Sequence, residues 1–310
     1  MNYLVTGAAG FIGTVIAKKL IEQGHSVTVI DNLSTGSLSN IPSEAQFIQG
    51  DAACETTIKM LGNANFDAIL HIAGQSSGEV SFEDPTYDLN SNVTSTVKLL
   101  DYAKNTGCNR FIYASTMSVY GEQTGKERFS ELDVTNPKSF YAVGKLASEQ
   151  YMKIYKQEYD INFTSLRYFN VYGAGQNLDN LKQGMVSIYL KQFMDCNFDK
   201  VEVKGSLERF RDVSYVDDIA DVTIESIKNE LYYNEIINVG SGVKTTVAEM
   251  IGLMKELLNS DKEVTISGGN PGDQFGIYAD NRKLKKIYKK KFTSFSCGLK
   301  SMIDWIKDEE

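Results

Sequence analysis

A glycine-rich turn, Thr6-Gly7-Ala8-Ala9-Gly10-Phe11-Ile12-Gly13, joins an apolar run beginning at Tyr3 to an apolar helical pattern that reaches Glu22. Gly7, Gly10 and Gly13 let a backbone leave a strand, turn tightly and open a helix against it. Such a helix offers unpaired N–H groups and its positive dipole end to a diphosphate. Phe11 and Ile12 start an apolar face continued by Val15, Ile16 and Leu20. Asp31 ends the next apolar run, close to the ~20-residue offset at which an acid holds the ribose hydroxyls of an adenine dinucleotide. A carboxylate there repels the extra phosphate of NADP, so NAD is the expected cofactor. Asn32 stands beside it. Asp51, after the third run, suits either the adenine amino group or a loop cap.

Short β-rich runs alternate with helical patterns through the first half of the chain. Strands are expected at Tyr3–Thr6, Ser26–Ile30, Gln46–Ile48, Ala68–Ala73, Arg110–Ser115 and Asn162–Tyr168. Helices are expected over Phe11–Glu22, around Leu89 to Leu100, and over Tyr141–Tyr159. This alternation predicts the α/β class: a doubly wound parallel sheet of Rossmann type, with helices on both faces. Beyond Tyr168 a loop-like stretch leads to helices near Met185–Met194, Val216–Ile227, Val247–Leu258, Arg282–Tyr288 and Leu299–Ile306, with strands at Val201–Lys204 and Glu235–Val239. The expected organisation is a dinucleotide domain over 1–170, rejoined by 214–240. A smaller C-terminal α/β lobe takes 171–213 and 241–310.

The net charge of −8 gives a nucleic-acid role no electrostatic support. No apolar run approaches the ~18 residues of a membrane span, and nothing like a signal peptide precedes the glycine turn. A cytoplasmic protein is expected. The four cysteines, Cys54, Cys108, Cys196 and Cys297, have no metal-type spacing, and there are only two histidines, His25 and His71. No metal site is expected. A histidine-based hydrolase is equally poorly served, which leaves Tyr, Lys and a cofactor to carry any chemistry.

Tyr141-Ala142-Val143-Gly144-Lys145 sets a tyrosine and a lysine at i and i+4, on one helix face. In isolation such a pair is more often two surface residues. Here it follows a dinucleotide motif and a strand that ends in hydroxyls, Ser115-Thr116-Met117-Ser118, on the edge where ligands bind in a doubly wound sheet. A free tyrosine has a pKa of ~10, and lowering it by ~3 units takes about 4 kcal/mol of preference for the phenolate. One cation about 4 Å away at an effective dielectric near 20 supplies roughly that much before desolvation opposes it. Tyr141 is therefore the expected acid–base group, Lys145 its cation, and Thr116 the hydroxyl that fixes the substrate oxygen.

Together these motifs resemble the extended short-chain dehydrogenases/reductases, the NAD-dependent nucleotide-sugar epimerase/dehydratase family, along nearly the whole chain. Further segments agree: Asp31-Asn32-Leu33, His71-Ile72-Ala73-Gly74, Asn92-Val93, Leu166 to Gly173, and Phe210 to Asp218. The resemblance implies that Ala73, Gly74, Asn92, Lys145 and Tyr168 contact NAD. It further implies that Asn170 and Arg211 hold the diphosphate of a nucleotide sugar, and that Ser76, Ser118, Asp273 and Ile277 line the sugar's side of the site. A homodimer is implied too. His71 reads as a buried strand residue.

Three departures from the family's patterns narrow the activity. Met117 and Ser118 stand where dehydratases carry an acidic pair and decarboxylases a Glu. Gln75-Ser76-Ser77 follows the His71–Gly74 run where galactose-type epimerases often have a Lys. Asn270 replaces the arginine of an Arg-x-Gly-Asp phosphate motif. The expected activity is C4 epimerisation of a UDP-hexose or UDP-N-acetylhexosamine through a transient 4-keto sugar. A nucleotide-sugar reductase, an epimerase acting at another carbon, and a non-catalytic NAD-binding scaffold or sensor remain open.

Overall fold

The computed structural model describes residues 1–268 and 275–309. The chain divides into two compact units. The first holds Met1–Val119, Thr135–Tyr168 and Ile219–Ile237; the second holds Tyr120–Val134, Phe169–Asp218 and the chain from Asn238 onward.

A seven-stranded sheet organises the first unit. From edge to edge its strands run Glu235–Val239, Asn162–Tyr168, Arg110–Thr116, Ala68–His71, Asn2–Thr6, Ser26–Asp31 and Gln46–Gln49. The registered pairs from Gln46–Gln49 to Asn162–Tyr168 are all parallel. Sequence order reverses direction at Asn2–Thr6, the switch point at which such sheets bind ligands. The expected α/β class and parallel Rossmann-type sheet are present. Strands buried on both faces carry continuous apolar runs rather than alternation, and Leu4, Val5, Val29, Ile69, Leu70, Phe111 and Ile112 are fully buried accordingly.

Between Leu89 and Leu100 the expected helix is not regular. Pro85–Leu89 is α-helical, Asn90–Thr94 is a π-turn, and Ser95–Thr106 resumes the α-helix. The Asn92 carbonyl accepts hydroxyl hydrogens from Thr96 at 2.8 Å and Ser148 at 2.7 Å. Side chains thus occupy the acceptor at the bulge, a recognised cause of such breaks in the ladder.

The second unit has its own core, built from Tyr172, Leu190, Val201, Val203, Met250, Met254, Leu299 and Met302 among others. Short strands cross it, and of these only the one at Lys200–Lys204 is among those expected. Phe210–Arg211 pairs with Thr245–Thr246 and Gly276–Ala279, Val213–Tyr215 pairs with Asn170–Tyr172, and Glu263–Ser267 with Lys200–Lys204. Among the described residues no helix is long and apolar enough to cross a membrane, and no cluster of His, Cys, Asp or Glu could hold a metal ion.

Candidate active site

The glycine turn is as tight as its composition suggests. Gly7 has φ +77° and donates its N–H to the Ile30 carbonyl at 2.8 Å. A Cβ there would meet the Ala73 nitrogen at 2.6 Å, and one on Gly13 would lie 2.2 Å from the Gly7 carbonyl oxygen. The helix Phe11–Glu22 opens at Gly10 without a side-chain cap, so no side chain competes for its first N–H groups. Phe11 and Ile12 are half-buried at that end.

Asp31 ends the second strand. Its Oδ2 accepts the Ala9 N–H at 3.0 Å and its Oδ1 accepts the Leu33 N–H at 2.8 Å. The carboxylate is thereby tied to the glycine turn itself. Asn32 is exposed and accepts the Ser34 N–H at 3.0 Å. Asp51 accepts the Ala53 N–H at 2.8 Å, so it does cap its loop.

Ala73 donates its N–H to the Thr6 carbonyl at 3.1 Å, which fixes the end of the fourth strand beside the glycine turn. Gly74 closes against the helix that carries Lys145. A Cβ there would lie 2.5 Å from Asn92 Oδ1 and 3.1 Å from Lys145 Nζ. Ser76, in the following loop, is exposed. Asn92 is buried, and its Oδ1 has no hydrogen-bond partner among the described residues. An orphaned acceptor beside Gly74, in the loop that adjoins the glycine turn at Ala73, suits a bound dinucleotide. Tyr168 is buried, and its hydroxyl shares a hydrogen bond with Thr223 Oγ1 at 2.7 Å.

The helix Phe140–Tyr159 starts at Ser139, whose Oγ accepts the Ala142 N–H at 3.2 Å. Tyr141 and Lys145 lie one turn apart, and both are buried with Thr116. Lys145 Nζ donates to the Ala114 carbonyl at 2.9 Å and sits 4.8 Å from the Tyr113 ring centre and 6.0 Å from that of Tyr141. Thr116 Oγ1 donates to Ser118 Oγ at 3.2 Å and accepts the Ser118 N–H at 3.1 Å. The structure brings Thr116, Ser118, Tyr141 and Lys145 to the end of one strand and the first turn of one helix.

Burial sets the electrostatics. It pushes the Tyr141 hydroxyl up to about 12, against a lowering hydrogen bond with Thr116, and the nearby Asp88 charge raises it further. Lys145 is brought down to about 8 by burial, with Asp88 pulling the other way. His71 is lowered to about 3 by burial and by Lys145. Its Nδ1 bonds Thr6 Oγ1 at 2.8 Å and its Nε2 faces Ser95 and Thr96. It is a neutral strand residue, as expected.

In the second unit, Arg211 and Ile277 are register partners in parallel strands. Arg211 is buried and donates to the Phe210 carbonyl at 2.7 Å and the Phe275 carbonyl at 3.2 Å. Its neighbour Asp212 is fully buried and accepts N–H groups from Ser241, Gly242 and Ala279. Asn170 is half-buried and donates to the Asp212 carbonyl at 3.3 Å. Ile277 is buried. Asp273, with the Gly269–Asp273 segment, lies outside the described residues.

Asp88 was not singled out in the sequence and Gln75 figured there only as a departure, yet both are buried and bonded to each other beside Asn92. Only the spacing Asp88-x-x-x-Asn92, one helical turn, could have signalled the link. The π-turn that carries it has no simple sequence period.

A parallel sheet with a glycine turn at its switch point and a buried Tyr–Lys pair defines a dinucleotide-dependent α/β enzyme. The model of the NAD dependent epimerase/dehydratase family matches residues 3–240, and the chain belongs to that family. It is 30% identical over 293 residues to the UDP-glucose 4-epimerase of Mycolicibacterium smegmatis, covering 93% of this chain and 92% of that one. The crystal structure of the Thermotoga maritima UDP-glucose 4-epimerase with UDP-glucose superposes with a TM-score of 0.95 at 31% identity, over 100% of this chain and 99% of that one. The UDP-N-acetylglucosamine 4-epimerase of Methanobrevibacter ruminantium, solved with UDP-N-acetylmuramic acid, gives 0.92 at 30% identity over 100% and 99%. The protein is an NAD-dependent enzyme of the nucleotide-sugar type, and NAD is its cofactor.

Proposed function

We propose that the enzyme inverts C4 of a UDP-linked hexose or N-acetylhexosamine. The observation that carries this reading is the make-up of the Thr116–Ser118 strand end. It presents hydroxyls to a Tyr–Lys pair and no carboxylic acid. A 4,6-dehydratase must take a proton from C5 and help water leave C6, which calls for a placed base and acid. Met117 has no titratable group, and a serine hydroxyl is too weak an acid or base near neutral pH to replace one. A 4-keto sugar formed here is left with return of the hydride as its exit.

Bound NAD, held by the glycine turn, Asp31, Asn92 and Lys145, supplies the hydride acceptor and donor and a positive ring. Tyr141 takes the C4 hydroxyl proton during oxidation and returns it during reduction. For that, a hydroxyl that burial pushes up to about 12 must be brought back toward neutrality by nearby positive charge. Lys145, buried one turn away on the same helix, is one such charge, and the positive ring of bound NAD would be a second. Thr116 holds the reacting oxygen, while Asn170 and Arg211 serve the diphosphate.

The helix Phe140–Tyr159 exposes Phe140, Val143, Tyr151 and Ile154, and Phe82 and Leu89 are exposed on neighbouring helices. These apolar side chains support a homodimer, for which light scattering at micromolar concentration would return twice the chain mass.

The test of function is incubation with UDP-, GDP-, CDP- and dTDP-sugars, with products read by NMR. Two C4-epimeric UDP-sugars should interconvert without net NADH. A 4-keto-6-deoxy product or a pentose would overturn the reading.

A further inference from the structure

One buried carboxylate that the chemistry above does not use lies beside Asn92. Asp88 is 1% exposed and lies in the helix Pro85–Leu89, just before the π-turn. Its Oδ1 accepts hydrogen bonds from Gln75 Nε2 at 2.8 Å and Asn92 Nδ2 at 3.1 Å. A Cβ on Gly144, the residue before Lys145, would lie 3.5 Å from its Oδ2. The loop after the fourth strand, the π-turn and the catalytic helix therefore meet at this group.

Gln75 and Asn92 are neutral amides, and a buried anion held by neutral donors is costly. Burial accordingly raises the Asp88 carboxyl, while Lys145 draws it back toward the charged form. Among the described residues, the other titratable groups on the elements packed around Lys145 are paired or uncharged. Glu149, on the same helix, pairs with Arg167 at 2.6 Å. On the adjacent strands His71 is neutral and burial pushes the Tyr113 hydroxyl up, as it does that of Tyr141 on the same helix as Lys145.

Asp88 also decides which way the Asn92 amide faces. The Asn92 nitrogen donates to two acceptors, Asp88 Oδ1 and the Gln75 carbonyl at 3.0 Å. With both N–H hydrogens used there, Oδ1 must face Gly74, whose Cβ position is also 3.1 Å from Lys145 Nζ.

We propose that Asp88 is a positioning residue for the Tyr141–Lys145 pair: a buried counter-charge to the Lys145 ammonium that also fixes the direction of the Asn92 amide. The proposal rests on the reading of Tyr141 and Lys145 as the acid–base pair. Asp88 favours the ammonium at a site where burial favours the free amine, and so widens the pH range over which Tyr141 has its cation.

The test is the pH profile of kcat/KM on the best UDP-sugar from pH 6 to 10, for wild type, Asp88→Asn and Asp88→Glu, with melting temperature and NAD affinity measured alongside. Asp88→Asn should move the alkaline limb down by about one unit, because the ammonium loses the charge that favours it. Asp88→Glu should restore much of that shift. If Asp88→Asn fails to fold, Asp88→Ser, which keeps an acceptor for Asn92, carries the same expectation. Lower activity with an unmoved limb would overturn the proposal. Tyr141→Phe run in parallel separates the two failures: if it retains turnover, the acid–base reading itself is wrong; if it is inactive and the limb stays put, only Asp88's role is.

Discussion

Lys145 Nζ donates a hydrogen bond to the Ala114 carbonyl at 2.9 Å, two residues before Thr116 on the same strand. This contact pins a buried ammonium between the sheet and the Tyr141 face of its own helix. It also orders the roles. In the proposed mechanism the strand supplies the oxygen that holds the cation and the hydroxyl that holds the substrate, and the helix supplies the group that moves the proton.

Tyr141→Phe should therefore cut turnover by about 10²–10⁴-fold, the usual worth of a positioned acid–base group. Fold and NAD affinity should be nearly unchanged, since only a hydroxyl is removed. Stopped-flow or coupled assays against calorimetric NAD titration would check it. Near-normal turnover would sink the acid–base role.

Asp31→Ala should weaken NAD binding and reduce discrimination against NADP. The structure adds a second cost. The Ala9 and Leu33 N–H groups lose their acceptor, so the melting temperature should fall as well, by an amount corresponding to about 1–3 kcal/mol. The NAD/NADP affinity ratio, measured on folded protein, isolates the ribose role from that loss. An unchanged ratio refutes it.

Much of this first unit was legible in the sequence, because its determinants are local. Gly7 and Gly13 stand where a Cβ would collide with neighbouring backbone, and strands buried on both faces announce themselves as short apolar runs. The boundaries of Asn162–Tyr168 and Phe11–Glu22 are those expected. What escaped notice depends on contacts far apart in sequence. The π-turn at Asn90–Thr94 owes its shape partly to Ser148, and Asp88 gains meaning only where Gln75 and Gly144 approach it. In the second unit, two-residue strands such as Phe210–Arg211 are held by register partners and carry too few residues to show a period.

His71 gives a pH dependence with a definite sign. Its pKa is about 3 in the fold and ~6.5 in an unfolded chain. Below pH 6.5 the unfolded chain takes up a proton that the folded one refuses, so stability is lost as pH falls from 6.5 toward 3. At pH 5 this amounts to about 2 kcal/mol. His71→Gln keeps polar contacts to Thr6 and removes the titration. Urea midpoints at pH 7 and pH 5 should separate more for wild type than for the variant; equal separations would show that His71 is not the group responsible.

Ile277 tests the breadth of the sugar pocket. It is the register partner of Arg211, which the functional reading assigns to the diphosphate, so its side chain belongs to the same short strand system as the nucleotide's anchor. Some galactose-type epimerases of the resembled family place a tyrosine in this segment, and a smaller residue there leaves room for an N-acetyl group at C2. Ile277→Tyr should accordingly depress kcat/KM for UDP-N-acetylhexosamines more than for UDP-hexoses. The substitution overfills a buried position and should also cost about 1–3 kcal/mol of stability. That cost falls equally on both substrates, because the same folded population serves both. The ratio of the two specificity constants is therefore the measurement to make, with each reaction followed by NMR on one enzyme preparation. A ratio shifted at least several-fold toward the plain hexose supports Ile277 as the residue that admits the acetamido group, and an equal loss on both substrates removes it from that role.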